Sequence, residues 1–586
     1  MQRDGQEAAG PSDGGPTRLR RVPSGLALAA LFGVALALRL VFLAEVRSIP
    51  FIEAPLIDAR AYDAWAREIA GGAWWGDRVF YQAPVYPYFL AVVYVLLGPD
   101  LWTVHVVQMF VGALSCVMMF LATRAFFGER VAWVAGLCLA FYPPAIFFDG
   151  IIQKTSLGLL LSTTLLWLLG RFQRSPRTGP ALAAGCVLGL LSLTRENALA
   201  FVPAVPLWMW VRFAGVQLGL RVRWVAAFAA GVAVVLLPVG ARNYAVGDTF
   251  VLTTSQMGTN LWIGNNPEAT GLYAPLLPGR QTPTFEAPDA KRLAERELGR
   301  ELTSGEVSDY WRGRALDFVV SEPGRWLELM LFKLALTWNQ FEIADTEDLH
   351  LYAEWSALLA GLLALLHFGI VVPLAGAGIV FAGREGRDAW LLVFLALVYA
   401  LGVALFMVFA RMRFPLVPLM LPLAALAVVR AFERARARSW SELARPVAVL
   451  VVVGYLANVD LVPEEGFKAT AYINLAGIML SDDRAEAAEP YLERAFEITP
   501  DSPDLRLHLA VLRLRQQRLA DAEGHLRRMI ELEPSDYRGH RLLAQTLLRQ
   551  GRGREAAPHR RRARELNPAL EKPPDPGRVD PPVPRR

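Results

Sequence analysis

Apolar runs of membrane-spanning length recur along the first 460 residues and are separated by polar gaps. A helix needs roughly 20 mainly apolar residues to cross a bilayer, and a helix satisfies its own backbone polar groups in lipid. The pattern therefore predicts an all-α, multi-pass membrane protein. It places about 11 spans near residues 23–46, 101–123, 131–149, 155–170, 180–195, 198–211, 224–240, 355–381, 389–409, 414–430 and 445–459.

Two further apolar stretches are predicted not to cross. The stretch "PVYPYFLAVVYVLLG" is short for a span, and "WLELMLFKLALTW", near 326–338, suits a helix that lies at the membrane surface. An odd number of spans then places the two ends of the chain on opposite sides of the membrane.

Arginine is concentrated in alternate gaps, which predicts the orientation because cytoplasmic loops are rich in Lys and Arg. Arg18, Arg20 and Arg21 precede the first span, so residues 1–22 are predicted to be cytoplasmic. The same segment is rich in Gly, Pro and Asp and is predicted to be disordered. The gaps 47–100 and 241–354 then lie outside. The basic gaps hold Arg124, Arg130, Arg171, Arg174, Arg177, Arg212, Arg221, Arg223, Arg384, Arg387, Arg430, Arg434, Arg436 and Arg438.

The C-terminal part of the chain repeats itself with a step of 34 residues. Pro500, Pro534 and Pro568 keep this step, and so do Leu475, Leu509 and Leu543, and Ala488, Ala522 and Ala556. This is the period of the tetratricopeptide repeat, in which paired helices stack into an α-solenoid. The pattern predicts about three repeats over 464–570, followed by a disordered tail at 571–586. Such repeats bind protein partners or serve as assembly scaffolds.

The first external gap carries a specific pattern. It reads "SIPFIEAPLIDARAYDAWAREIAGG" and continues into "YQAPVYPYFLAVVYVLLG". This resembles the first external loop of polyprenyl-phosphate-sugar-dependent glycosyltransferases of the GT-C fold, such as protein O-mannosyltransferases and aminoarabinose transferases. The words "GTNLWIGNN" are similar to a motif of repeat-bearing bacterial members. The resemblance implies that residues 23–460 form a GT-C-like bundle.

The resemblance also implies an activity. An inverting GT-C enzyme moves a hexosyl or pentosyl group from a polyprenyl-phosphate donor to a protein or glycolipid acceptor at the outer membrane face. We therefore expect an enzyme of the inner membrane, with membrane lipid around it and its repeats in the periplasm. Two other interpretations stay open, a transporter or flippase and a membrane-anchored scaffold for envelope assembly.

Three acids are candidates for the chemistry that the resemblance implies. Asp58 is the main one, because a carboxylate near the acceptor hydroxyl can act as general base. Asp63 is a weaker candidate for the same role. Asp58 could instead have a purely structural role as a helix cap. Asp149 could position the acceptor or, with Asp58, hold a divalent metal. Lys154 stands near the place where the family pattern has an acid, so Asp149 could instead be a surface acid paired with Lys154.

Cations near the outer face are candidates for the donor phosphate, which a guanidinium fork fits well. These are Arg195, Arg242, Lys333, Arg411 and Arg413. Their alternative role is contact with lipid headgroups.

Aromatic and amide side chains are candidates for sugar contacts, with a turn-rich loop as the alternative. The candidates are Tyr62, Tyr86, Asn260, Trp262, Asn265 and Asn266.

Composition agrees with a membrane protein: 54% of the 586 residues are hydrophobic and 20% are charged, whereas about a quarter of a soluble protein is charged. The three cysteines lie in apolar runs without metal-ligand spacing, which favours a packing role. The sequence contains no P-loop, HExxH or GxSxG motif, which fits a lipid-linked donor. No nucleic-acid partner is predicted.

Overall fold

The protein is described from a computed structural model that covers residues 25–280, 283–385 and 389–571. Within those ranges every regular element is a helix, which confirms the predicted all-α class. The predicted disordered N-terminus, residues 1–22, and the predicted tail from 572 onward lie outside the described residues.

The part of the chain up to residue 457 forms the membrane bundle and its loops. The α-helices up to residue 457 are α1 (Gly25–Glu45), α2 (Ile57–Ala70), α3 (Val85–Leu97), α4 (Leu101–Phe127), α5 (Glu129–Ala140), α6 (Pro143–Gly150), α7 (Thr155–Arg174), α8 (Thr178–Ser192), α9 (Phe201–Arg212), α10 (Leu218–Gly247), α11 (Met257–Gly264), α12 (Pro283–Leu298), α13 (Ser304–Ser321), α14 (Pro323–Trp338), α15 (Leu349–Trp355), α16 (Ala357–Leu363), α17 (Phe368–Glu385), α18 (Trp390–Ala404), α19 (Ala410–Arg413), α20 (Val417–Arg436) and α21 (Ala444–Ala457).

Seven helices or helix runs of the described chain are long and apolar enough to cross a membrane, which confirms a multi-pass protein. They are Gly25–Glu45, Leu101–Phe127, Thr155–Arg174, Leu218–Gly247, Ala357–Gly383, Ala410–Arg436 and Trp440–Ala457. The pair α5 and α6 brings the number to eight, with a bend of 50° at Pro143, where a proline removes a helical hydrogen bond. Helices α8, α9 and α18 are shorter, so the count of 11 spans stays a prediction.

The bundle is packed through glycines where helices cross. A Cβ on Gly185 of α8 would lie 2.1 Å from the Phe228 carbonyl oxygen of α10, and one on Gly231 of α10 would lie 2.2 Å from the Leu182 carbonyl oxygen. Small residues let helix backbones approach closely in membranes. These glycines therefore fix the α8–α10 contact, whose ends lead into the polar segments.

The C-terminal helices form three antiparallel pairs, which confirms the predicted repeats. They are α22 (Glu464–Ser481), α23 (Ala485–Ile498), α24 (Pro503–Arg515), α25 (Leu519–Leu532), α26 (Tyr537–Arg549) and α27 (Gly553–Leu566). The alanines at the repeat step, Ala488, Ala522 and Ala556, are buried where the helices cross.

The solenoid is fastened to the segment that follows α14. The Glu354 carboxylate accepts a hydrogen bond of 2.6 Å from the Tyr472 hydroxyl and pairs with Lys468 at 3.0 Å and Arg494 at 3.4 Å. The Asn474 amide donates to the Thr346 carbonyl oxygen at 3.1 Å. The repeats therefore lie directly over the polar segments of the bundle.

Candidate active site

The first polar segment, 47–100, is held against the end of α10. The Arg242 guanidinium donates to the carbonyl oxygens of Trp75, at 2.7 Å, and Arg78, and it lies 3.9 Å from the centre of the Phe80 ring. The Asn243 side-chain oxygen accepts from the Phe80 amide at 3.2 Å. These bonds satisfy backbone groups that the loop could not pair by itself, and they fix the loop that carries the first candidate acid.

Asp58 lies in the first turn of α2 and is 8% exposed. Its Oδ2 atom is 2.5 Å from Nη1 of Arg411, and its Oδ1 atom accepts from the Gln82 amide at 3.0 Å. Burial acts to raise the pKa of Asp58, but the Arg411 charge and hydrogen bond outweigh burial and the pKa is lowered. Asp58 is therefore ionised at neutral pH.

Arg411 joins Asp58 to a second acid from a distant part of the chain. Its Nη2 atom is 2.8 Å from Oδ2 of Asp345, which lies between α14 and α15. Burial raises the pKa of Asp345, and the Asp58 charge adds to the effect while Arg411 opposes it. One guanidinium thus bridges two carboxylates that are far apart in sequence, and we call these three residues the charged cluster.

A cavity of about 320 Å³ opens beside the charged cluster. It is lined by polar side chains from both polar segments, from the start of α7 and from the solenoid, and by Phe409 and Met412. The polar lining includes Tyr62, Gln82, Lys154, Gln256, Asn260 and Glu286. A concave site with a few convergent polar groups is the usual form of a small-molecule pocket.

Two more cations lie next to the cavity. Nζ of Lys154, just before α7, is 3.4 Å from Oε2 of Glu196, whose other oxygen accepts from the Gln256 amide at 2.9 Å. Arg195 donates to the Thr155 hydroxyl. Burial lowers the pKa of both Lys154 and Arg195, so an anion that arrived there would be stabilised by poorly hydrated positive charges.

Glu286 faces the same cavity from the first turn of α12. The Tyr273 hydroxyl donates to its Oε1 atom. Burial raises the pKa of Glu286 to about 7, with the Asp58 and Asp345 charges adding to the effect and the Tyr273 hydrogen bond opposing it. Among the carboxylates that line the cavity, Glu286 thus has a pKa raised toward neutrality, whereas Asp58 is held as an anion by Arg411.

A second, narrow crevice of about 30 Å³ lies on the other side of the charged cluster. Asp58, Asp345 and Arg411 line it as well, together with Gln153, Glu342, Thr346 and Glu347, and the rest of its wall is apolar. The apolar wall includes Leu56, Pro144, Phe147, Phe148 and Ile152. The charged cluster therefore borders both a polar cavity and a crevice that has an apolar wall.

The other two candidate acids are placed elsewhere. Asp63 accepts from Arg67 at 2.9 Å and from the Tyr94 hydroxyl at 2.6 Å, and it does not line the cavity. Asp149 pairs with Arg39 of α1 at 2.8 Å, and neither side chain is exposed. The alternative partner considered for Asp149, Lys154, pairs with Glu196 instead.

The five candidate phosphate-binding cations divide into two groups. Arg411 and Arg195 lie at or beside the cavity. The other three are held by the protein itself, because Arg242 secures the first loop, Arg413 pairs with Glu342 at 3.1 Å, and Lys333 donates to the Gly264 carbonyl oxygen at 2.7 Å. Burial lowers the pKa of Lys333 to about 7.

The candidate sugar-contacting residues also divide. Tyr62 and Asn260 line the cavity, and the Tyr86 ring supports the Tyr62 ring edge-on at 5.3 Å. Trp262 lies in α11, and Asn265 and Asn266 begin the loop that follows it. Trp262 packs 5.9 Å from Trp311, the Asn265 amide donates to the Leu405 carbonyl oxygen at 2.7 Å, and the Asn266 amide donates to the Trp262 carbonyl oxygen at 2.9 Å.

The residues at the cavity do not fit a two-carboxylate metal site made by Asp58 and Asp149. Asp149 is paired with Arg39, and a guanidinium lies between Asp58 and Asp345. In the described ranges no group of three or more His, Cys, Asp and Glu side chains could hold a metal ion.

Sequence reasoning missed several residues that the fold brings to the cavity. Asp345 and Glu286 are acids in the second polar segment, and Lys154 and Glu196 follow apolar runs. The signal that could have found them is their place, because each lies beside a predicted span or in a long external gap where polar residues are more often functional. Their mutual distances depend on tertiary packing.

Comparison with protein families gives two matches. Residues 81–241 match the family described as dolichyl-phosphate-mannose-protein mannosyltransferase, a segment that includes Gln82, Lys154 and Arg195. Residues 479–546 match the tetratricopeptide repeat. These matches confirm the predicted resemblance and the predicted repeats. The fold and these matches define a multi-pass membrane protein with a segment similar to that mannosyltransferase family and with a C-terminal solenoid. No curated protein sequence matches the chain significantly.

Solved structures of low identity align with most of the chain. The chain is similar to the oligosaccharyltransferase AglB from Archaeoglobus fulgidus, in complex with an inhibitory peptide and a dolichol-phosphate, at 11% identity and a TM-score of 0.43, over 79% of this chain and 59% of that one. It is similar to ArnT from Cupriavidus metallidurans, bound to undecaprenyl phosphate, at 16% identity and a TM-score of 0.39, over 86% and 80%. The chain therefore spans less than two thirds of the AglB chain.

Proposed function

We propose that this protein is a GT-C-type glycosyltransferase that moves a sugar from a polyprenyl-phosphate donor to a hydroxyl-bearing protein or glycolipid acceptor at the outer membrane face. The observation that carries the proposal is the position of Arg411, which pairs with Asp58 where the polar cavity meets the crevice. The family match of residues 81–241 supports the same class of reaction.

The two spaces match the two halves of such a donor. The polyprenyl chain would lie toward the apolar wall that contains Phe147 and Phe148. The phosphate would reach Arg411, with Lys154 and Arg195 nearby, and the sugar would project into the polar cavity beside Tyr62 and Asn260. Arg411 keeps donors for this task, because a guanidinium has five N–H groups and its Nε atom has no hydrogen-bond partner among the described residues.

The reaction follows from that placement. The acceptor oxygen attacks the anomeric carbon from the face opposite the phosphate, the carbon–phosphate-oxygen bond breaks, and the configuration inverts. Negative charge develops on the leaving phosphate, and a positioned cation stabilises it most where water is excluded. Asp58 keeps Arg411 in place through their 2.5 Å contact, and Asp58 was also the first candidate for the general base.

The test uses purified full-length protein and a panel of polyprenyl-phosphate sugars, with loss of the lipid-linked sugar as readout. We expect Asp58→Asn to lower turnover by about 10²–10³-fold, because the variant loses the anion that orients Arg411. The matched control is Asp63→Asn on the same helix, which lies outside the cavity and should keep turnover within a few fold.

Equal turnover by wild type and Asp58→Asn would remove Asp58 from the reaction. Failure of the wild type to consume any donor, with a mixed pool of acceptor peptides and glycolipids present, would count against the glycosyltransferase and favour the transporter or scaffold. Accessibility of the solenoid to protease from the outside of spheroplasts tests the proposed orientation.

A further inference from the structure

Both oxygens of Asp58 already accept a hydrogen bond, and one of the two donors is a guanidinium. Gln82 holds its Oδ1 atom at 3.0 Å, and Arg411 holds its Oδ2 atom at 2.5 Å. A carboxylate that is stabilised as an anion in this way is a weak base, because proton transfer is most efficient when the pKa of the base lies near the working pH. The transfer reaction therefore calls for another proton acceptor in the same cavity.

Glu286 lies in that cavity on a firmly held helix. Helix α12 packs against α2, which carries Asp58. Arg280 binds the Asp289 carboxylate with two hydrogen bonds of 2.5 and 2.7 Å, and the Trp311 indole donates to the Ala290 carbonyl oxygen at 3.0 Å. The position of the Glu286 carboxylate is thus set by the first turn of a fixed helix.

The surroundings of Glu286 differ from those of Asp58. In the described residues its one hydrogen-bond donor is the Tyr273 hydroxyl, to Oε1, and it forms no ion pair. The Glu286 side chain lines the polar cavity. The ionisable groups that face it are Tyr81, Tyr273, Asp58, Asp345 and Arg411, with Asp504 of the solenoid on the cavity wall.

We propose that Glu286 is the general base that takes the proton from the acceptor hydroxyl, while Asp58 acts as a positioning residue for Arg411. This inference rests on the proposed glycosyl transfer. The acceptor oxygen gives its proton to the Glu286 carboxylate and bonds to the anomeric carbon. The bond from that carbon to the phosphate oxygen breaks, and its electron pair leaves with the polyprenyl phosphate. The proton on Glu286 then passes to water.

The pH dependence of turnover tests the proposal. The burial that raises the pKa of Glu286 to about 7 gives a wild-type acid limb, in which kcat falls as the pH drops below about 7 and the base becomes protonated. We expect Glu286→Gln to lose this limb and to lower kcat at pH 8 by about 10²–10⁴-fold, the usual contribution of a general base. The KM for the donor should stay within about twofold.

Two further variants keep the test decisive. Tyr273→Phe removes a hydrogen bond that lowers the pKa of Glu286, so its acid limb should move to higher pH, a shift that a purely structural role would not produce. Glu297→Gln changes an exposed glutamate of the same helix and should keep the wild-type profile. If Glu286→Gln does not fold, the Tyr273→Phe profile decides.

The outcomes separate the two proposals. A Glu286→Gln enzyme that keeps wild-type kcat and its acid limb overturns the role of Glu286 and leaves glycosyl transfer intact, and an unmoved limb in Tyr273→Phe does the same. A wild type that turns over no donor overturns the glycosyl transfer itself, and Glu286 falls with it.

Discussion

Two of the buried arginine–carboxylate sites in the molecule differ in their surroundings. In the charged cluster, Arg411 bridges Asp58 and Asp345 and borders both the polar cavity and the crevice. In the bundle, Arg39 pairs with Asp149, with both side chains fully enclosed. Burial and charge therefore do not by themselves identify a reactive acid; access to a space that can hold a substrate does.

The enclosed pair is built into the packing of the bundle. Nη1 of Arg39 donates to the Ala35 carbonyl oxygen at 3.1 Å, and Gly112 of α4 leaves the room that the pair occupies. A Cβ at Gly112 would lie 1.9 Å from Oδ2 of Asp149. The pair thus joins α1, α4 and α6, and its expected role is to hold these helices together.

The largest effect that the comparison predicts comes from Arg411→Gln. It removes the cation that we propose binds the donor phosphate, so turnover should fall by about 10²–10³-fold, as when other preorganised charge stabilisers are removed. The measurement is donor consumption at saturating acceptor. The matched control is Arg413→Gln, two residues on, which loses the pair with Glu342 and should lower thermal stability more than turnover per folded molecule. Similar losses of turnover in both variants would contradict the division between them.

Substitution in the enclosed Arg39–Asp149 pair should lower stability rather than turnover. Asp149→Asn leaves the Arg39 charge buried without its partner, which costs about 3–5 kcal/mol of stability, so the melting temperature and the yield of inserted protein should fall. Turnover per folded molecule should change little. The double variant Arg39→Met with Asp149→Leu should recover much of the stability, because apolar replacement of a buried pair is often neutral. A folded but inactive Asp149→Asn protein would return Asp149 to the list of reactive acids.

The smallest effect concerns the outer wall of the cavity. Asp504, in the first turn of α24, lines the cavity and pairs with Arg538 at 2.7 Å. We expect Asp504→Asn to raise the acceptor KM by a few fold and to leave donor hydrolysis without acceptor unchanged. Asp501→Asn, a nearby acid away from the cavity wall, should leave both unchanged. An unaltered acceptor KM in Asp504→Asn would confine acceptor recognition to the bundle.

Most of the fold was predictable, because its causes are local. Apolar run length fixes the long spans, and the 34-residue step of Pro500, Pro534 and Pro568 fixes the repeats. The break at Pro143 and the short helices were harder to predict, because run length alone cannot separate one bent span from two shorter helices.

The site was predictable only in part. Asp58 and Arg411 were found because each lies in a distinctive local pattern, and the structure brings them together. Asp345 and Glu286 were missed because no local pattern marks them and only tertiary packing brings them to the cavity. Residue type alone predicted Arg242, Arg413 and Asn265 as site residues. In the structure, each of them donates hydrogen bonds to backbone oxygens instead. A sequence shows which polar side chains stand in a distinctive pattern, but tertiary contacts decide which of them already bind other groups of the protein.

The contacts of Tyr472, Lys468 and Arg494 with Glu354 have a consequence for the order in which the protein is completed. The helices of the bundle leave the ribosome before the repeats, and domains generally fold in that order. The charged cluster is complete once Arg411 has been inserted, but the cavity gains its last wall only when Asp504 arrives. A nascent or prematurely ended chain would carry the reactive groups without the wall that closes over them. The contacts at Glu354 therefore make completion of synthesis the step that closes the cavity proposed as the catalytic site.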